Sequence, residues 1–354
     1  MVAVRSTHFH PACQFVVDDW VASLGLSNQQ SSDRLACTWH YCKQQCKNNP
    51  DVSLLLWRGI EMVEILSMLS MDNDSLCAAL LFPMVDVGMM EEGVLEAYFG
   101  KNIVDLVSGV REIDAIRKLK AAHQSEQMDN VCRILLTIVD DLRCLVIKLA
   151  ERIAYLRELQ DAPEDERVLA AKESTHIYAP LANRLGIGQL KWELEDFCFR
   201  YLYPNEYKRI AKLLHERRID REQYIEYFVT SLRHAMLKAG LKADIYGRPK
   251  HIYSIWRKMQ KKALAFEELF DLCAVRFVVE QLQDCYAVLG LLHTNFSHLP
   301  DKFDDYVANP KPNGYQSIHT VVLGPHSKMI EIQIRTSQMH EDAEIGRAAH
   351  WKYK

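Results

Sequence analysis

Residues Met329–Thr336 read MIEIQIRT. Ile330, Ile332 and Ile334 alternate with Glu331, Gln333 and Arg335, a period of two that an extended strand turns into one apolar and one polar face. The polar face carries a carboxylate, an amide and a guanidinium. It suits plain solvated surface; beside a phosphate site it also suits metal binding and proton transfer. Working outward, alternating or β-branched runs recur at Lys242–Tyr246, Ala274–Glu280 and Ser317–Leu323, and helical periodicity at 249–262, 282–295 and 337–349. From Leu241 onward this predicts an α+β or α/β layer domain around a mixed sheet.

Upstream the texture is different. Ser31–Lys47, Ser53–Leu69, Asp74–Leu81, Glu91–Phe99, Ile103–Ile116, Val131–Leu159 and Asp165–Ala179 have helical period or helix-forming composition, and tight hairpin turns are scarce. DAPEDER at 161–167 is a break whose acids suit the start of the next helix. LANRLGIGQLKWELEDFCFRYL then packs apolar positions around a Gly-Ile-Gly turn, and a long amphipathic stretch ends at Gly240, a C-cap residue. The organisation expected is an all-α domain over 1–180, a helical linker and start of the next domain over 181–240, and the mixed domain over 241–354.

Composition excludes more than it assigns. At 354 residues two domains are expected, and a formal net charge of -4 means that any anion site must be local. No apolar run reaches the roughly 18 residues of a membrane helix, and the N-terminus lacks a signal-peptide apolar region. A cytoplasmic protein without membrane contact is expected. The ten cysteines are scattered among apolar neighbours, as in a reducing compartment. Cys37, His40, Cys42 and Cys46 cluster in one helical stretch rather than in the paired knuckles of a zinc site.

Two stretches hold the chemistry. RPKHIYSIWRKMQKK, 248–262, places Pro249 in the first turn of a helix, Ile252, Ile255, Trp256 and Met259 on its apolar face, and Lys250, Ser254, Lys258 and Lys262 in one row. Cations and a hydroxyl near a helix N-terminus suit a polyphosphate; a solvated basic face and a nucleic-acid-binding helix fit the same pattern. ANPKPNGYQSIHT, 308–320, is a structured loop presenting Lys311, Asn313, Tyr315, Gln316 and His319. Its tyrosine is placed to stack on a base, or to cap the core beneath a hairpin. Asp271 stands just before a strand that holds Arg276; spacing alone does not pair it with Glu331.

Taken together, YGRPKHIYSIWRKM, NPKPNGYQSIHT, IEIQIRT, AAHW and the linker RLGIGQLKWELED resemble the synthetase half of the Rel/RelA family of guanosine polyphosphate synthetases, nearest its RelA-type members. The resemblance runs through nearly the whole chain. It implies transfer of the β,γ-pyrophosphate of ATP to the 3′-hydroxyl of GDP or GTP, with Mg²⁺, in a nucleotidyltransferase-like fold. It also implies the roles of residues. Arg248 and Arg276 match the pair that clamps adenine. Lys250, Ser254 and Lys258 match the binders of the ATP phosphates. Asp271 matches the magnesium ligand, and Glu331 the catalytic acid that also contacts the metal. Tyr315 matches the guanine-stacking residue, with Lys311, Asn313, His319 and Gln333 around the acceptor. Lys302-Phe303-Asp304-Asp305 has the acidic third position of RelA-type synthetases but Lys where those have Glu.

The helical domain resembles the family's HD-type hydrolase domain, with its ligand positions replaced. Phe82-Pro83 stand where hydrolytic members have His-Asp, Arg58 replaces a His, Glu151 an Asp, and Tyr155 a nearby Asn. Phe and Pro offer no side-chain ligand, which implies a degenerate, inactive hydrolase domain. Full-length members continue into C-terminal domains that sense uncharged tRNA on the ribosome, and the chain stops where the catalytic half ends. Two other readings stay open on the sequence: an idle regulatory or RNA-binding fragment, and a bifunctional synthetase–hydrolase.

Overall fold

The computed structural model describes residues 15–26, 28–46, 50–121, 135–137, 139–216, 218–266, 269 and 273–346. Two compact units meet in sequence between Leu185 and Gly186. Among the described residues no helix is long and apolar enough to cross a membrane.

The first unit is helical: α1 Val17–Ser23, α2 Gln29–Cys46, α3 Pro50–Met68, α4 Asn73–Asp86, α5 Glu92–Phe99, α6 Lys101–Ala121, α7 Arg143–Glu158, α8 Glu164–Glu173 and α9 Ala179–Arg184, the last two joined by a π-helical stretch, Ser174–Tyr178. Helix α4 is its centre. Asp72 caps it by accepting from the Ser75 amide at 3.0 Å, and every residue from Ser75 to Val85 is buried, as for a helix packed on all sides.

Two sequence expectations need correction here. The helix expected to stop at Leu81 runs to Asp86 with Pro83 inside it. Burial all round offsets the hydrogen bond the proline removes, a loss of about 3 kcal/mol in an exposed helix. The helix expected to run unbroken over 131–159 is interrupted, and α7 starts only at Arg143. Asp141 accepts from the Arg143 amide at 2.9 Å, so a short acidic side chain takes the backbone donor that a continuing helix would use.

The second unit begins with α10 Gly188–Leu202, α11 Pro204–Glu216 and α12 Arg218–Lys238. Then come β1 Asp244–Pro249, α13 Ile252–Lys262, β2 Cys273–Val279, α14 Leu282–Asn295, β3 Asp304–Asp305, β4 Ile318–Leu323, β5 Met329–Thr336 and α15 Ser337–Ile345. The sheet order is β1-β2-β5-β4-β3, mixed, with β2 and β5 parallel and the other pairs antiparallel.

Strand alternation sorts the sheet into two faces. Ile245, Val275, Phe277, Val279, Ile318, Val322, Ile330, Ile332 and Ile334 lie in one core with Phe228, Leu232 and Met236 of α12 and Val288 and Leu292 of α14. Burying each such side chain contributes roughly 1.5–3 kcal/mol, which fixes the register, since a slip by one residue would turn the polar set inward. A smaller core joins Phe199 of α10, Ile210 of α11 and Ile255 and Met259 of α13, with Ile252 and Trp256 packed on it.

Pro249 does not open α13. It ends β1, paired with Cys273, and the helix starts at Ile252 behind His251. A residue before proline is steered to extended backbone, and β1 is an edge strand, where a missing amide is tolerated. Lys250 thus sits in the strand–helix connection, not in a helical row with Ser254 and Lys258.

Candidate functional site

The second face of the sheet gathers the chemistry. Register places Ala274 beside Glu331, Arg276 beside Gln333 and Val278 beside Arg335, while β4 brings His319 to the other side of Gln333. This face was expected either to be solvated or to line a site. It is covered: Gln333 is 8% and Arg335 1% exposed.

Glu331 is the hub. Its Oε2 accepts from Lys250 Nζ at 2.7 Å and its Oε1 from Gln333 Nε2 at 3.1 Å. Burial alone would push this carboxyl up; the Lys250 ammonium outweighs it and holds the group below the usual carboxylate range. Gln333 Oε1 in turn accepts from Arg276 Nη2 at 3.4 Å. Arg276 Nη1 reaches Glu344 of α15 at 3.0 Å and the Tyr246 hydroxyl at 3.4 Å, and Arg335 Nη2 reaches the same Glu344 oxygen at 3.2 Å.

Arg248 completes a cationic corner. Its guanidinium carbon lies 3.7 Å from the centroid of the Trp192 ring. Burial, then the neighbouring Arg276, lowers its pKa to about 10. Three guanidiniums, those of Arg248, Arg276 and Arg335, thus act on the one carboxylate of Glu344, whose pKa they lower against burial. An excess of buried positive charge is what an anionic ligand would neutralise.

On the other side lies the loop. Asn313 Oδ1 accepts from the Tyr315 amide at 3.2 Å, and Gly314 adopts φ 81°, a left-handed turn that a side chain would strain. The turn directs Tyr315 Oη to within 2.9 Å of His319 Nε2. His319 Nδ1 stands 3.8 Å from Glu331 Oε1. Lys311 Nζ lies 4.1 Å from the Tyr306 ring centroid and 5.2 Å from that of Tyr315, and burial lowers its pKa.

Lys250, Arg276, Gln333, His319, Tyr315 and Lys311 are therefore joined through Glu331 and its neighbours, and Arg248 adjoins Arg276. Ser254 and Lys258 stand a turn apart on α13, both partly exposed. Asp271 lies outside the described residues. Trp192, Tyr246, Tyr306 and Glu344 were not singled out in the sequence. Glu344 had no signal there, being one acid on an ordinary amphipathic helix. Trp192 had only its place in the linker motif.

Mg²⁺ takes one or two carboxylates, with substrate phosphates and water completing its shell; Glu331 offers a hard oxygen of that kind, already engaged by Lys250 and Gln333.

In the helical unit Arg58 adjoins Tyr155, and Phe82 and Glu151 both adjoin Lys148. The Arg58 guanidinium lies 5.6 Å from the Tyr155 ring centroid and grips Glu158 through Nε at 2.9 Å and Nη2 at 2.5 Å. Lys148 Nζ lies 5.6 Å from the Phe82 ring and ion-pairs with Glu151 at 2.8 Å and Asp114 at 2.5 Å. Pro83 is buried within α4. These residues do not fit a catalytic metal: two have no ligating atom, one is a cation, and the Glu151 carboxylate is held by an ammonium. Among the described residues no cluster of three or more His, Cys, Asp or Glu could hold one.

His340 of α15 gives a pH test of the corner. Its Nδ1 is buried with no hydrogen-bond partner among the described residues. Burial, then Arg335, lowers its pKa to about 4. In the unfolded chain it titrates near 6.5, so between these values only the unfolded state takes up the proton, and stability is lost as pH falls. The expected loss from pH 7 to pH 5 is on the order of 1 kcal/mol greater in wild type than in His340→Gln. Urea midpoints at the two pH values check it; equal losses would remove His340 from the acid response.

The chain is similar in sequence to known proteins along both units. Residues 36–188 match the HD domain, and residues 247–354 match the region found in RelA/SpoT proteins. Over its full length the chain is 70% identical to the GTP pyrophosphokinase of Escherichia coli K12 and 55% identical to that of Haemophilus influenzae, covering 48% of each. It is 40% identical to a guanosine-3′,5′-bis(diphosphate) 3′-pyrophosphohydrolase of Aquifex aeolicus, over 82% of this chain and 41% of that protein. Among solved structures, small alarmone synthetase 1 of Bacillus subtilis, bound to its product pppGpp, aligns with 41% of this chain and 82% of its own at 25% identity and a TM-score of 0.33. The chain spans about half the length, 48%, of the curated relatives it matches most fully. With an HD domain followed by the RelA/SpoT region, and 70% identity along its whole length to the N-terminal half of a GTP pyrophosphokinase, this chain belongs to the RelA/SpoT family.

Proposed function

We propose that the chain transfers the β,γ-pyrophosphate of ATP to the ribose 3′-hydroxyl of GDP or GTP, giving ppGpp or pppGpp and AMP. The observation that carries this reading is the convergence on Glu331 of two unlike half-sites. One is the cationic corner with Lys250; the other is the aromatic loop of Lys311, Tyr315 and His319.

In this reading Arg248 and Arg276 hold the adenine between their planes. Trp192 covers one face of Arg248, and Glu344 and Gln333 fix Arg276 beside it through bonds at the guanidinium edge. Lys250, Ser254 and Lys258 take the phosphates. Tyr315 stacks on the guanine, with Lys311, Asn313, His319 and Gln333 around the acceptor. The 3′-oxygen forms a bond to the β-phosphorus as the bond from that phosphorus to the α-phosphate oxygen breaks, and AMP leaves. Glu331 takes the proton of the 3′-hydroxyl. Its carboxylate is available at neutral pH because Lys250 keeps it ionised. Mg²⁺, held by Glu331 and Asp271 with the phosphates, would neutralise charge developing on the transferred group. Positioning and electrostatics supply most of the rate. In the longer relatives' setting, the ribosome and uncharged tRNA would act through domains beyond this chain.

Turnover of labelled ATP with GDP, with and without Mg²⁺, tests the reading; no guanosine 3′-polyphosphate under any condition sinks it. Tyr315→Ala is expected to raise the acceptor KM about tenfold and leave the ATP KM within twofold, as loss of one stacked base implies. Steady-state kinetics with each substrate varied in turn check this, and an unchanged acceptor KM removes the stacking role.

The helical unit we read as a hydrolase domain without hydrolysis, supported by Phe82 and Pro83 where ligands are needed and by the ion-paired Glu151. The chain is expected to leave ppGpp intact with or without added Mn²⁺. Chromatography of the nucleotide after incubation decides it, pyrophosphate release above background being the adverse result.

A further inference from the structure

Helix α13 follows Lys250 and carries Ser254 and Lys258, yet it starts without a cap of its own. His251 stands at the N-cap, and its side chain makes no cap hydrogen bond. The Tyr253 amide donates instead to Asp196 Oδ1 at 2.9 Å, across 57 positions of sequence. Asp196 lies on α10 and is only 2% exposed. Its other oxygen is 3.5 Å from His251 Nδ1. One turn earlier on α10, Trp192 stacks on the same histidine, with ring centroids 4.9 Å apart and planes 24° from parallel. The other neighbour of that indole is Arg248, 3.7 Å away. Trp192 and Asp196 are four residues apart, on one face of one helix. That face therefore grips both sides of Lys250: the end of β1 through Arg248, and the start of α13 through His251 and the Tyr253 amide. Gly188 lets α10 approach closely, since a Cβ there would come within 2.5 Å of the Ala343 carbonyl oxygen of α15.

We propose that Trp192 and Asp196 are positioning residues for the donor nucleotide, setting the plane of Arg248 and the start of α13 so that the purine and the phosphate binders meet one ATP. The proposal rests on the donor half-site described above. It assigns the two residues to ATP because their contacts run to Arg248, His251 and the Tyr253 amide, on both sides of Lys250.

The test uses Asp196→Ala, Asp196→Asn, Trp192→Ala and Trp192→Phe. Asp196→Ala should speed hydrogen exchange of the Tyr253 amide and weaken binding of a non-hydrolysable ATP analogue about fivefold, with GDP affinity unchanged. Asp196→Asn keeps an oxygen for that amide and should restore most of both. Trp192→Ala should weaken the analogue by a similar factor, and Trp192→Phe, which keeps a ring under Arg248, should recover it. Equal losses for the ATP analogue and GDP, no loss at all, or losses not rescued by Asn and Phe overturn the proposal. So does a wild-type chain that binds no ATP analogue. None of these readouts needs turnover: a chain that binds the analogue selectively but makes no product refutes the catalytic reading and leaves the positioning test intact.

Discussion

Glu331→Gln should reduce kcat for guanosine 3′-polyphosphate synthesis by about 10³-fold, within the range of roughly 10²–10⁴ that a positioned general base contributes. Binding should survive. Glutamine keeps the shape of the side chain, and it frees Lys250 from a 2.7 Å ion pair. With the Glu331 charge gone from beside that ammonium, the ATP KM should stay level or fall. That sign separates loss of chemistry from a distorted site, which would raise both KM values. Steady-state rates with labelled ATP, alongside equilibrium binding of ATP and GDP, measure both quantities. A kcat within tenfold of wild type would mean that the proton leaves by another route.

Lys250→Met should act twice. It removes a cation from the phosphate side, and kcat/KM for ATP should fall about 10²-fold, the scale of losing one well-placed electrostatic contact. It also removes the main influence holding the Glu331 carboxyl down. Burial then weighs more heavily, and the carboxyl rises. The rate of the variant should therefore decline on acidification at a higher pH than that of wild type. In wild type the depressed carboxyl stays ionised until the solution is well acidic. The pH profile of kcat/KM for the two proteins makes the comparison. A variant profile displaced downward but unshifted in pH would show that Lys250 binds phosphate without tuning Glu331.

Much of this site was legible in the chain. The alternation in MIEIQIRT assigned Glu331, Gln333 and Arg335 to one face of a strand, and the spacing of Ile252, Ile255, Trp256 and Met259 gave the buried face of α13. Pro249 was misplaced because the same residue that opens helices also ends edge strands; the two uses differ only in what pairs with the preceding backbone. The run through Pro83 was misjudged for a related reason. A helix breaker is judged by local cost, and α4 is buried on every side, a property no local window contains.

The sequence by itself determined two regions of different texture, an amphipathic helix with a basic face, the tyrosine loop, and the absence of ligating side-chain atoms at Phe82 and Pro83, because each is a matter of residue type and local period. Only the tertiary structure decided that Lys250 meets Glu331 across 81 positions, that Asp196 caps a helix it does not belong to, and that Glu344 neutralises two arginines on separate strands. Those meetings depend on the parallel register of β2 with β5 and on how closely α10 and α15 approach the sheet and each other. Both are set by how the two apolar cores fill, and the charged residues whose positions they fix take no part in that packing.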